Sequence, residues 1–188
     1  MHEGKRLFEH LLAQHCAPTL QGVKPASLIS VRYGQVPDLD GYIAESKQKL
    51  GQKGLAIYTL CQCKERVLLL IYRPELLQSC LFGKAQSRLL ASWGYPIGTS
   101  LEGLLKHLEE RVGDLADFPH EIGLFLGYPV RDVTGFITQK GCGYKFCGYW
   151  KVYGNEAAAR ARFAKYTACQ QQMLARLKQG QDLYEMVA

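Results

Sequence analysis

No stretch of this sequence is long and apolar enough to cross a bilayer. The longest strongly apolar run, Val67 to Tyr72, falls far short of the ~20 residues a spanning helix requires. The first residues, MHEGKRLFEHLLAQHC, are amphipathic and lack the unbroken apolar centre of a secretory signal. These absences predict a soluble, cytoplasmic protein without membrane insertion. There is also no phosphate loop, no Gly-x-Gly-x-x-Gly between a strand and a helix, no repeat, no low-complexity tract and no linker. Gly141-Cys142-Gly143 is only a fragment of such a loop. Acidic residues are scarce in one place. Between Arg131 and Lys178 only Asp132 and Glu156 stand against Arg131, Lys140, Lys145, Lys151, Arg160, Arg162, Lys165, Arg176 and Lys178. The formal charge of +6 is therefore concentrated there. A basic region attracts nucleic acid, an anionic cofactor or an acidic protein, or it is a solvated helix face.

What is present is ordinary in bulk. The 188 residues, 47% hydrophobic and 21% charged, suit one domain spanning 1–188 that buries a core without staples. Seven cysteines are an odd number without a framework spacing, which predicts reduced thiols in a reducing compartment. The least ordinary segment is Phe118 to Gly154, where seven glycines alternate with Phe125, Tyr128, Phe136, Tyr144, Phe146, Tyr149, Trp150 and Tyr153. Glycine permits close backbone approach and aromatics supply flat contact area, a composition suited to a pocket or a binding surface.

Periodicity predicts an α+β fold, with a small mixed or antiparallel sheet flanked by helices and a long C-terminal helix. The first helix is expected from Lys5 to about His15, closed by Pro18. Ser27–Tyr33 reads as a buried strand, and a helix opened by Pro37-Asp38 runs to about Leu50. Leu55–Cys61 and Arg66–Tyr72 read as a hairpin. Helical patterns cover Pro74–Ser92, with a break at Gly83, and the segment after a Thr99 or Ser100 cap. Pro119 and Pro129 read as first-turn prolines of two short helices, the first ended by Gly127. Phe146–Tyr153 reads as one strand, and Asn155 caps the last helix, which runs to about Lys178. On that helix Phe163, Tyr166, Met173, Leu174 and Leu177 form an apolar stripe.

Several constellations invite chemistry. His15-Cys16 has the composition of an activated thiol. At a helix C-terminus, however, the dipole raises a thiol pKa, and adjacent helical side chains diverge, so a structural cysteine is the better reading. His120-Glu121 lacks the second histidine of a zinc-protease helix, Leu124 standing in its place, so Glu121 reads first as a first-turn carboxylate. Cys61 and Cys63 supply two of the four ligands of a structural zinc, and Cys142 and Cys147 do not complete a known spacing. Lys140–Phe146 partly matches the RNA-recognition octapeptide. Cys142 replaces a stacking aromatic there and Lys145 falls at a core position, which makes nucleic-acid binding the weakest of the expectations.

Three blocks carry a resemblance. They are His15–Leu20 with Lys24–Leu28, then His120–Pro129 with Asp132-Val133 and Gly135–Ile137, and finally Gly148–Tyr153. Together they resemble an uncharacterised bacterial domain-of-unknown-function family (number three-seven-nine-three), frequent in anaerobes, over nearly the whole chain. The resemblance implies an association with flavodoxin and ferrous-iron transport genes but no activity. The leading expectation is thus an accessory or binding protein linked to iron or redox metabolism. Its partner would be acidic or anionic, such as the acidic redox protein flavodoxin. Arg131, Lys145 and Lys151 would steer that partner, with Tyr149 and Trp150 as contact area. The alternative is an enzyme with a pocket around His15, Cys16, His120, Glu121 and Asp132. The candidate binding residues are those, with Tyr128. No metal ligand set and no cofactor is nominated.

Overall fold

Strands with few polar side chains at their centres need cover on both faces, and here helices supply it. The computed structural model describes residues 2–113 and 118–188. Its elements, in chain order, are α1 (His2–Leu20), β1 (Ala26–Arg32), α2 (Leu39–Gly51), β2 (Ala56–Gln62), β3 (Arg66–Tyr72), α3 (Pro74–Leu81), α4 (Lys84–Ser92) and α5 (Leu101–Gly113). There follow α6 (Ile122–Phe125), α7 (Val130–Thr138), β4 (Phe146–Cys147), β5 (Lys151–Val152), α8 (Glu156–Lys178) and a 3-10 turn at Tyr184–Met186.

The main sheet has the order β1-β3-β2 and is antiparallel throughout. β3 lies in the middle, paired from Arg66 with Arg32 to Tyr72 with Ala26 on one side and against β2 on the other. Ile29, Val31, Val67, Leu69 and Ile71 face α1, α2 and the far half of α8. Leu60 and Leu70 face a second core built from α3 to α7. Between Thr59 and Cys61 the register of β2 slips by one residue, a bulge at Leu60. The result is an α+β fold of two cores divided by one sheet, and the long last helix reaches across to α1.

The structure extends the first helix beyond the expected stop: α1 continues through Pro18 to Leu20. Proline has no N–H to give the carbonyl four residues back, and that carbonyl, of Gln14, instead accepts from Gln170 Nε2 of α8 at 2.7 Å. Arg73 then closes the helix end by donating to the carbonyls of Thr19 and Leu20, a cation placed where the macrodipole is negative. Two further expectations change. Pro129 is the residue before α7 and Pro119 lies three residues ahead of α6, so neither proline is inside its helix. The segment expected as one strand, Phe146–Tyr153, folds back on itself at Gly148–Trp150. β4 and β5 pair as a hairpin, with Phe146 opposite Val152.

Candidate functional site

The glycine-aromatic segment builds a third, small core. Trp150, Val152, Ala159, Phe163 and Tyr166 are buried together, with Tyr128 and Phe146 packed on them. Trp150 is the hub. Its ring stacks on Tyr128 with centroids 4.7 Å apart and meets Phe163 edge-on at 4.4 Å. Several glycines of the segment are seats for these rings. A Cβ on Gly135 would lie 2.5 Å from the Tyr153 ring, and one on Gly148 would lie 2.3 Å from Phe163.

Asp132 holds the hub in place. It is 3% exposed; one oxygen accepts from Trp150 Nε1 at 2.7 Å, the other from the backbone N–H groups of Tyr153 at 2.9 Å and Gly154 at 2.7 Å. A buried carboxylate met by three donors is stabilised by charge-assisted hydrogen bonds. Here it ties α7 to the hairpin and to the approach of α8.

Beside the hub lies a cleft of about 290 Å³, bordered by His120, Tyr128, Phe136, Tyr149, Trp150 and Lys151, with Asp132 and Cys147 also on its wall. Six of the sequence-nominated residues therefore meet in one place: His120, Tyr128, Asp132, Tyr149, Trp150 and Lys151. His120 packs edge-on against Phe136 at 4.9 Å. Lys151 donates to the Gly141 carbonyl at 2.8 Å and lies over the rings of Tyr144 and Phe136, so its ammonium braces the loop and edges the cleft. Tyr149 is 40% exposed and is moored to α8 through Thr167 Oγ1 at 3.1 Å. Burial pushes the Tyr128 phenol up to about 12, so it stays neutral at ordinary pH, and its O–H donates to the Tyr149 carbonyl at 3.4 Å.

The other nominated residues lie elsewhere. His15 is exposed on α1. Cys16 is wholly buried in the α1 core, and burial pushes its thiol up to about 12. Because α1 continues to Leu20, burial and not a helix end accounts for this inert thiol. Glu121 turns away from the cleft to an ion pair with Arg111 of α5, joined by Tyr95 at 3.3 Å. Glu121 is thus a strut between α5 and α6 more than a first-turn carboxylate. Lys145 donates to the Gly154 carbonyl at 3.0 Å. Arg131 is exposed and borders a second cavity that Trp150 also lines. Among the described residues no group of three or more His, Cys, Asp or Glu side chains could hold a metal ion.

Of the residues lining the cleft, Ile122, Gly123, Val133, Phe136 and Cys147 were not among the nominated ones, nor was Lys24, whose ammonium lies near two of the aromatic rings. Lys24 is 8% exposed, with its ammonium 5.5 Å from the Tyr128 ring and 5.9 Å from that of Tyr166. Burial presses its pKa down to about 8, the nearby Cys16 opposing this. Its sequence position, a lysine before Pro25 in a loop, carried no sign that the side chain would turn inward beneath the aromatic hub.

The fold and the cleft define an α+β protein with an aromatic site. Residues 12–187 match the family described as "Protein of unknown function (DUF3793)". The chain belongs to that family, as its three sequence blocks implied. No curated protein and no solved structure matches the chain. No helix among the described residues is long and apolar enough to cross a membrane.

Proposed function

We propose that this chain is a binding protein whose Tyr128–Trp150 cleft receives the flat, apolar part of an anionic partner. The cleft itself carries the reading. It is concave and walled by four aromatic rings, and His120 and Lys151 are the polar groups on its edge. Its volume is close to the lower limit of about 300 Å³ for small-molecule sites, room for one or two fused rings. Ring-on-ring contact supplies the affinity and the cationic surroundings supply the sign of the partner.

Binding fits these side chains better than the enzymatic alternative. Asp132 has both oxygens engaged by donors and Glu121 is paired with Arg111. His15 and Cys16 belong to α1, away from the cleft wall. A second reading, docking of an acidic redox protein such as flavodoxin in iron or redox metabolism, draws support from Tyr144 and Tyr149. Both are more than 40% or at 40% exposed within the basic segment, where interface aromatics would sit.

The test is a titration of the Trp93→Phe protein, in which Trp150 is the sole indole, with the aromatic sulfonate 8-anilinonaphthalene-1-sulfonate. Saturable one-to-one quenching, weakened by His120→Ala and Tyr149→Ala, is expected. A signal indifferent to both substitutions would remove the cleft from consideration. Salt-sensitive capture of purified flavodoxin without any small-molecule signal would favour the second reading.

A further inference from the structure

The basic segment was nominated as a whole, but its cations are not equally free. Lys145 and Lys151 are spent on the backbone carbonyls of Gly154 and Gly141. Arg160 pairs with Glu156 and covers the Phe146 ring, and Arg176 donates to Gln181. The side chains of Arg131 and Arg162 make no hydrogen bond, ion pair or ring contact among the described residues. Both border the same cavity of about 330 Å³, whose wall also includes Trp150, Gly154 and Asn155 and contains no carboxylate. Of the two acids in the segment, Glu156 is occupied by Arg160 and Asp132 by the three donors that converge on it.

This cavity and the aromatic cleft are neighbours, since Trp150 borders both. Their relative position is fixed by Asp132, which takes the indole N–H of Trp150 and the amide N–H of Gly154. The start of α8 is already capped from within, Asn155 Oδ1 accepting from Ala158 N–H at 3.0 Å, so the arginines and not the helix end supply the positive charge. Two guanidinium groups with free donor forks match the oxygens of a phosphate, which they can engage in paired hydrogen bonds.

We infer that Arg131 and Arg162 form a phosphate subsite adjoining the aromatic cleft, and that the composite site takes an aromatic ring joined to a phosphomonoester, the chemistry of a nucleoside monophosphate. This rests on the cleft reading above and adds the identity of the anionic group. The two unpaired arginines then hold the phosphate while Tyr128, Phe136 and Tyr149 enclose the base.

Calorimetric titrations of AMP with adenosine, and of UMP with uridine, test this on the intact chain, with inorganic phosphate as a third ligand. Each nucleotide should bind about tenfold or more tightly than its nucleoside. Arg131→Gln with Arg162→Gln should erase that gap and leave nucleoside binding unchanged. Both arginines are exposed, so the fold should survive, and an unchanged circular dichroism spectrum verifies it. Equal binding of nucleotide and nucleoside, or a gap that persists in the double variant, overturns the phosphate subsite while leaving the cleft reading standing. Inorganic phosphate binding as tightly as AMP also overturns it, since the anion site would then be unlinked to the cleft. If no nucleoside or nucleotide binds, this inference fails; whether the cleft reading fails with it is decided by the sulfonate titration.

Discussion

Trp150 donates its indole N–H to Asp132 at 2.7 Å, and the same carboxylate receives the backbone N–H groups of Tyr153 and Gly154. One buried acid thereby sets the position of the ring that borders both cavities. Asp132 attracted attention in the sequence as one of only two acids in a basic stretch, and a place in an enzyme's pocket was one reading of it. Three donors converging on it account for that isolation without chemistry, since a carboxylate is the side chain that can accept all three.

Asp132→Asn tests this directly. The amide would have to aim its NH2 either at the indole N–H or at the two backbone N–H groups, leaving a buried donor facing a donor. A loss of about 2–3 kcal/mol in unfolding free energy is expected, with a weakened near-ultraviolet signal from Trp150. Denaturant unfolding that matches the parent within error would show that the three contacts are expendable.

Glycine at position 148 is expected to be as restrictive as the acid. A Cβ there would lie 2.3 Å from Phe163, whose ring is held edge-on against Trp150 at 4.4 Å. Gly148→Ala should therefore destabilise by about 1–3 kcal/mol through overpacking and reduce binding at the cleft. Gly34→Ala, where nothing lies within 4 Å, is the matched control and should be close to neutral. A parent-like midpoint for both variants would refute the tight seat.

The elements that could be read from the sequence are those in which local chemistry and tertiary packing agree. Asn155 does cap α8, through Ala158 N–H, and Ser100 Oγ accepts from Gly103 N–H at the start of α5. The β2–β3 hairpin and the end of α8 at Lys178 fall where patterning placed them. Two of the misreadings share a cause, a remote partner that no local rule contains. Pro18 stays helical because Gln170, far along the chain, takes the carbonyl it strands. Phe146–Tyr153 is a hairpin because Gly148 lets the chain turn closely against Phe163 of α8. Within the site, residue type was legible and direction was not. His120 and Glu121 are adjacent, yet one borders the cleft and the other pairs with Arg111.

Thiol reactivity should sort the seven cysteines by burial. Cys63, Cys142 and Cys147 are exposed, whereas Cys16 is buried with its thiol pushed up to about 12. In native protein at pH 8 the three exposed thiols should react quickly with an aromatic disulfide reagent, and Cys16 only on unfolding. Of the three, Cys147 alone borders the cleft, so a bound cleft ligand should slow Cys147 and spare Cys63. Protection spread evenly over all three, or confined to Cys63, would contradict the location of the site.

Lys24 offers a test that depends on pH. Its ammonium is buried without a carboxylate partner, and its pKa falls from an ordinary 10.5 to about 8 in the folded chain. Below pH 8 the lysine is charged in both states and folding bears the full burden of burying the charge. Between about 8 and 10.5 the unfolded chain holds a proton that the folded one has released, so this residue's contribution to stability improves as pH rises. The depression corresponds to roughly 3 kcal/mol, against which the Tyr128 and Tyr166 rings return about 1 kcal/mol. Lys24→Met keeps the length of the stem and removes the charge, so it should raise stability at pH 7 by about 1–2 kcal/mol. The advantage should shrink as pH approaches 10. Cys16 and Tyr128, whose folded pKa values are raised, lower stability at high pH in both proteins; Lys24 partly offsets the rise at Cys16, so its loss deepens the Cys16 penalty in the variant and shrinks the advantage further. Paired denaturant titrations at pH 7, 8.5 and 10 measure it. A variant less stable than the parent at pH 7 would mean that the buried ammonium is held by its aromatic neighbours more strongly than its desolvation opposes it.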